Sequence, residues 1–511
     1  MGLFAYLRLV RAGYVLAREG AFSLTEGQGI KGPAATAIWF ARLIERPSVR
    51  KTGRVERLSA ALQKLGPTYV KLGQLLATRA DIVGPVVAKD LANLQDKMPP
   101  FDQTLVPAIL EEALGEKATT LTEVSGPVAA ASIAQVHSAQ LVDSNGTPQK
   151  VAIKLLRPDV EVRFKKDLAS LKAAAGFFEL IAPKAKRLKP KDIVETLERS
   201  AILEMDLRME AAAISELYDN TKDDEGFEIP TIHWPQTGRN VMVTSWMDGI
   251  PIRDHEAIDK AGLDRKKIAK ELMQHFLRHA IRDGYFHADM HPGNLFVDPK
   301  TGHVRAVDFG IMGRIGKPEQ KFLAEILYGF IRRDYRHISQ LHFDIGYVPK
   351  HQSVDDFAQS LRAIGEPLVG RTANEISMAK VLAQLLDNTA LFEMEARTEL
   401  VMLQKNMVLV EGVARTLDPE LNIWEVSEPI VSKWVKRNVG PIGIAEEARD
   451  TGVALYSAAK KVPLLVQRYE AMLDQAEKDR ANPPFFMRTW FTVLVVGLMI
   501  AVGAAAIKTL V

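Results

Sequence analysis

The segments His287-Ala288-Asp289-Met290-His291-Pro292-Gly293-Asn294 and Val307-Asp308-Phe309-Gly310 decide how the rest of the chain is read. Upstream of them lies Val151-Ala152-Ile153-Lys154, an apolar strand-like run ending in a lysine. Asn294 follows Asp289 by five residues, and Asp308 comes fourteen further on. Phosphoryl transfer asks for a cation on the α- and β-phosphates, oxygen ligands for magnesium, and a carboxylate that orients or deprotonates the nucleophile. Lys154 suits the first task, Asn294 and Asp308 the second, and Asp289 the third. Magnesium is a hard ion that takes carboxylate and amide oxygens while keeping some of its waters, so an Asn/Asp set is chemically apt. ATP and Mg2+ are therefore the expected cofactors.

Each piece alone says little, since Val-Ala-Ile-Lys is most often an ordinary strand and Asp-Phe-Gly is a short string. The order and spacing together are those of protein kinases. A strand-borne lysine in a small lobe also needs a helix carboxylate to hold it, and Glu210 is the candidate, on a helical stretch expected from Pro190 to Leu217. Glu204 and Asp206 are further acids on that stretch; they either face the magnesium site or form a solvated helix face. A metal hydrolase using His287, Asp289 and His291 as ligands is the competing use of the second segment. It leaves Lys154 and Asp308 unexplained, and histidines in such loops more often orient backbone.

No Gly-x-Gly-x-x-Gly precedes Lys154. In its place stands Val128-Ala129-Ala130-Ala131-Ser132-Ile133-Ala134-Gln135-Val136. Glycine lets a backbone approach phosphates closely and adopt positive φ; alanine is more restricted, so this loop is expected to cradle a nucleotide differently. Strands are expected over Ser132 to Leu141 and Val151 to Leu155 with a turn at Asn145-Gly146, in a pair around Gly238 to Trp246, and briefly near Asn294 to Val297 and Val304 to Val307. Helices are expected from Ser59 to Leu94, interrupted at Gly66-Pro67, from Thr104 to Gly115 and from Phe164 to Ile181.

The outer features bound the function. At 511 residues the chain is too long for one core. Its 66 basic and 63 acidic residues give a formal charge of +3, which lacks the concentrated basic face of a nucleic-acid binder. No cysteine is present, which removes disulfides, thiolate metal sites and cysteine nucleophiles. Leu3 to Leu16 is apolar but interrupted by Arg8 and Arg11, so it reads as an amphipathic or buried helix rather than a signal peptide. Trp490 to Ile507 runs eighteen residues without a charge, close to the ~20 that cross a bilayer. Lys478, Arg480 and Arg488 precede it and place the large domain on the cytoplasmic side.

Taken together the motifs resemble those of the UbiB family of atypical kinase-like proteins. The likeness rests on Ala129-Ala130-Ala131-Ser132-Ile133-Ala134-Gln135-Val136-His137, the Val-Ala-Ile-Lys strand, the Glu204/Asp206 pair and the two segments quoted first. It also rests on Lys71-Leu72-Gly73-Gln74, whose Lys71 and Gln74 share one helix face. The resemblance implies that the helical preface folds over the active site, with Lys71, Gly73 and Gln74 facing the place of a protein substrate in a regulatory role. It implies an alanine loop that disfavours ordinary protein-kinase behaviour, ATP and magnesium binding with ATPase activity, and support of ubiquinone biosynthesis at membranes. Bacterial members often carry two C-terminal membrane segments, whereas one convincing run is found here.

The expected architecture is α+β, a protein-kinase-like two-lobe fold with a helical N-terminal extension (1–120), a small lobe with inserted helices (121–249), a helical large lobe (250–430), a helical tail (431–485) and a C-terminal transmembrane helix (488–510). The expected function is an ATPase supporting ubiquinone biosynthesis at the inner (cytoplasmic) membrane, its catalytic domain in the cytoplasm. Expected partners are a membrane lipid or isoprenoid quinone precursor and other quinone-biosynthesis proteins, with no nucleic acid. The alternatives are a small-molecule or lipid kinase and a nucleotide-gated scaffold.

Overall fold

The computed structural model describes residues 3–22, 33–49, 57–77, 83–91, 94, 98–142, 146–181, 189–368 and 398–440, with scattered positions in 384–394 and 452–472. The chain divides into two units, Met1–Ile268 with His287–Met312, and Ala269–Phe286 with Gly313–Val511.

The first unit opens with helices α1 (Leu3–Arg18), α2 (Pro33–Leu43), α3 (Arg57–Leu65), α4 (Pro67–Ala77), α5 (Pro85–Leu91) and α6 (Val106–Leu114). The expected break falls at Gly66, whose φ is +108°, and Pro67 is the first residue of α4, where a missing N–H costs nothing. Gly73 is buried where α4 packs on α3 and α5. A Cβ there would clash with Leu94 and lie 2.7 Å from Leu62 Cδ1, so this glycine is required by close packing. Gly115 ends α6 in the left-handed range, φ +58°.

Strands β1 (Leu121–Thr122), β2 (Pro127–Ala130), β3 (Ala134–Val142), β4 (Pro148–Leu156) and β5 (Val241–Ser245) form the main sheet, in which β1 and β2 pair with β3, β3 with β4, and β4 with β5. All of these pairings are antiparallel. Side chains alternate across a strand, and Val151, Ile153 and Leu155 are fully buried in a core with Leu141, Val241, Val243 and, from α6, Val106 and Leu110. Ala152 and Lys154 therefore face the other side of the sheet. The region around Gly238 to Trp246 is one strand on β4, not a hairpin of its own.

Helix α7 (Val160–Ile181) is followed by α8 (Pro190–Glu204) and α9 (Leu207–Thr221). The single stretch expected from Pro190 to Leu217 is thus two helices, because Asp206 is extended (φ −123°, ψ 96°) and caps α9 by accepting from the Arg208 backbone N–H. A smaller sheet pairs Phe227–Glu228, Val304–Ala306, Leu295–Val297 and Ile250–Pro251.

The second unit is mostly helical among its described residues, with Lys317–Arg332, Tyr335–Ile345, Val354–Gly365, Thr398–Leu417 and Ile423–Asn438. Asp334, Ser353 and Asn422 cap three of these helices through their side chains. Tyr335, Ile338, Val348, Phe357, Leu361 and Phe392 form a core here, with the Phe357 and Phe392 rings 4.8 Å apart. The expected membrane segment 488–510 lies outside the described residues; among those described, no helix is long and apolar enough to cross a membrane.

Two glycines make a contrasting pair for measurement. Gly73→Ala is expected to lower the unfolding midpoint, at a cost of about 1–3 kcal/mol for overpacking. Gly412, exposed on the Thr398–Leu417 helix with nothing within 4 Å of its Cβ position, is expected to gain about 0.5–1 kcal/mol on replacement by alanine. Equal shifts in urea unfolding would contradict the packing role of Gly73.

Glu411 supplies a pH dependence. Burial pushes its carboxyl up from 4.5 to about 7, against the opposing Arg415 guanidinium, 2.9 Å away. The folded state then holds the proton more tightly than the unfolded chain. Its contribution is full below about pH 4.5 and is lost as pH rises through 7. Glu411→Gln is expected to flatten the fall in thermal midpoint across that window, and an unchanged slope would assign the titration elsewhere.

Candidate functional site

Lys154 is placed by the register of the sheet. It sits on β4 between Val136 of β3 and Met242 of β5, on the face opposite the core. Its ammonium would be costly to bury alone. Glu210, in the first turn of α9, meets it with both oxygens at 2.6 and 2.8 Å, and Asp308 Oδ1 lies at 3.4 Å. The Lys154 and Glu210 side chains are 17% and 11% exposed. Burial alone would lower the Lys154 pKa, but the Asp308 and Glu210 carboxylates outweigh it and hold the group charged. Burial pushes the Glu210 carboxyl up, opposed by the Lys154 ammonium and by the Phe309 backbone N–H. The Lys154 ammonium holds Asp308 below the usual carboxylate range.

The residues around Asp308 and Asn294 are locked by backbone bonds. Gly310 N–H donates to Asp308 Oδ1 at 3.2 Å, and Val307 N–H donates to the Asn294 carbonyl at 3.1 Å. Phe309 is buried, its ring 5.1 Å from that of His287. His287 Nδ1 accepts the Asp289 N–H at 3.0 Å and His291 Nδ1 accepts the Gly293 N–H at 3.1 Å. Burial pushes the His287 imidazole pKa down, against the pull of Asp308 and Asp289, which suits an accepting ring nitrogen. These bonds use the histidines to shape the loop, which argues against the metal-hydrolase reading. Asn294 Nδ2 donates to the Asp289 carbonyl at 3.4 Å, so its amide oxygen is the end left to act as a ligand. With the Asp308 side chain 48% exposed, the two offer the hard oxygen donors that magnesium takes.

The alanine segment is a hairpin rather than a free loop. Val128, Ala129 and Ala130 belong to β2, and Ala134, Gln135 and Val136 open β3. Ala131 N–H closes the turn on the Ala134 carbonyl at 2.8 Å, across Ser132 and Ile133. None of these residues has positive φ, so the turn is one that alanine adopts without strain. Gln135 and Ser132 are fully buried. The Gln135 side chain accepts the Phe101 N–H at 2.9 Å and contacts His137 Nε2 at 3.0 Å.

Two supports escaped the sequence reading. Arg157, just past β4, donates from Nε to the Ala131 carbonyl and from a terminal nitrogen to the Pro99 carbonyl, both at 2.9 Å. Met98 N–H donates to the Ala130 carbonyl at 3.2 Å. The segment leaving the helical preface thus runs along the hairpin. Met98-Pro99-Pro100 signals a boundary in sequence, but no local pattern says which strand it meets.

The preface motif also finds a partner. Lys71 Nζ pairs with Glu204 at 2.7 Å, both side chains largely buried. This joins two of the regulatory candidates and ties α4 to the end of α8. Gly73 serves the packing described above, and Gln74 is half-buried on the same helix. Asp206 does not extend the helix toward a metal: it caps α9 and holds Arg208 at 2.6 Å.

Residues 93–342 match the ABC1 atypical kinase-like domain, and residues 361–422 match the UbiB helical domain. A curated relative from Marinobacter nauticus, named "Probable protein kinase UbiB", is 38% identical over 428 residues, covering 83% of this chain and 77% of the relative. The solved Rv3197–erythromycin complex from Mycobacterium tuberculosis aligns with TM-score 0.49 and 22% identity, over 72% of this chain and 93% of that one. With a kinase-like domain of mixed helix and strand, and this identity over most of its length, the chain belongs to the UbiB family of ABC1 atypical kinase-like proteins.

Proposed function

We propose that this protein binds ATP with Mg2+ and hydrolyses it in support of ubiquinone biosynthesis at a membrane. The observation that carries the reading is the Lys154 ammonium held between Glu210 and Asp308. A cation so fixed is ready for the α- and β-phosphate oxygens. Asn294 and Asp308 would hold the magnesium ion, which neutralises charge on the phosphate oxygens when bound. Asp289, on a loop braced by His287, would orient the attacking water. The Lys71–Glu204 pair supports the regulatory role given to the preface, since it binds that preface to the segment leading into the Glu210 helix.

The apolar run from Trp490 to Ile507, preceded by Lys478, Arg480 and Arg488, supports anchoring in the inner membrane with the catalytic region cytoplasmic. A membrane lipid or isoprenoid quinone precursor is then the partner at hand, beside other quinone-biosynthesis proteins. A lipid kinase is the second reading. It is favoured by exposed Val128 on the hairpin and exposed Ile311 just past the Asp-Phe-Gly turn, apolar groups suited to a hydrophobic acceptor.

The test is phosphate release from MgATP by the full chain in liposomes, with and without quinone-precursor-like lipids. Lipid-stimulated release that falls by about 100-fold in Asp308→Asn is expected; ATP binding without release, or phosphate found on the lipid, would replace the ATPase reading. Stability reads the ion pair separately. Glu210→Gln is expected to cost about 3–5 kcal/mol, and adding Lys154→Met should recover part of that loss. Strict additivity of the two changes would remove the coupling on which the site is built.

A further inference from the structure

Helices α1 and α2 are inside-out by the usual rule. Large apolar side chains face solvent: Leu7, Val10 and Tyr14 on α1, and Trp39, Phe40, Leu43 and Ile44 on α2 and the residue after it, are 44–69% exposed. The buried positions of α1 include the small Ala12 and Ala17. Leu7, Val10 and Tyr14 are spaced three and four apart and form one stripe. The two helices pack on each other, and Arg46 N–H donates to the Arg18 carbonyl at 3.1 Å. Exposed apolar clusters of this kind mark a contact surface.

Charge says which surface. In a chain whose acids and bases nearly balance, α1 and α2 carry Arg8, Arg11, Arg18 and Arg42 and no carboxylate. Arg11 is helix neighbour to both Leu7 and Tyr14, and it lines a cleft of about 200 Å³ with Arg8, Tyr69, Arg163 and Asp167. Asp167 is engaged by Arg8 at 2.8 Å and by the Thr68 hydroxyl at 2.9 Å. No carboxylate among the described residues pairs with Arg11. The cleft therefore holds three guanidiniums against one carboxylate, beside an apolar stripe. Guanidinium groups favour phosphate oxygens, and a basic helix with aromatic and aliphatic side chains on one face suits the boundary between headgroups and acyl chains.

We propose that the α1–α2 pair is a membrane-contact surface for anionic lipid. Its apolar stripe enters the interface, and the Arg8–Arg11–Arg163 cleft takes a lipid phosphate. It draws on none of the residues assigned to the 488–510 segment or to the nucleotide site.

The chain contains no cysteine, so single cysteines report position without a background. The full chain carrying Val10→Cys or Leu43→Cys, nitroxide-labelled, is reconstituted in phosphatidylglycerol vesicles, in phosphatidylcholine vesicles and in detergent. Asp355→Cys, at an exposed position of the second unit, is the control. The ratio of oxygen to polar-reagent accessibility at positions 10 and 43 is expected to rise about threefold in the anionic vesicles alone, and Arg11→Glu is expected to abolish the rise. Labels that stay aqueous in anionic vesicles overturn the proposal. Equal burial in both vesicle types overturns its anionic selectivity. Burial in detergent that grows with protein concentration assigns the surface to a second copy of the chain. Flotation with the neutral vesicles reports separately on the 488–510 anchor.

Discussion

An ammonium group withdrawn from water must be compensated where it lies, and the Lys154 ammonium is compensated by two carboxylates from distant parts of the chain. That requirement fixes three things at once. Strand β4 must present its odd-numbered residues to the core so that Lys154 faces away. Helix α9 must be capped at Asp206 so that its first turn carries Glu210. The turn after Val307 must be closed by Gly310 so that Asp308 is held against the lysine. The Phe309 backbone N–H, also directed at Glu210, ties the second and third conditions to each other.

Much of this was legible because the chemistry is encoded at fixed spacing. Lys154, Asp289, Asn294 and Asp308 sit in short motifs, and the lysine's need for a helix acid was enough to select Glu210. What was missed lies at element ends. Glu204 and Asp206 looked like neighbours on one helix, whereas an aspartate ahead of Leu207 is a capping residue, and the break sends the two acids to different arginine or lysine partners. A capping pattern was available to find this, but continuous apolar periodicity masked it.

The alanine hairpin is a partial case. Alanine was read as more restricted than glycine, and the chain makes its turn without positive φ. Gln135 was read as a nucleotide contact from its place in a motif, while its burial depends on Phe101 and His137, an arrangement of tertiary origin. Arg157 was invisible for the same cause: its carbonyl partners, on Ala131 and Pro99, are backbone atoms that every sequence possesses.

Because Met98 and Pro99 are bonded to the hairpin and to its arginine brace, the segment below the preface behaves as a strap sewn onto the edge of the sheet. Binding free energies at two such joined places are reciprocal. A ligand that steadies the hairpin must also steady the strap, and one that lifts the strap must weaken whatever the hairpin holds. The protein thereby has a mechanical route that couples its helical preface to the alanine hairpin, so that binding at one place shifts the affinity of the other with no contact between the two ligands.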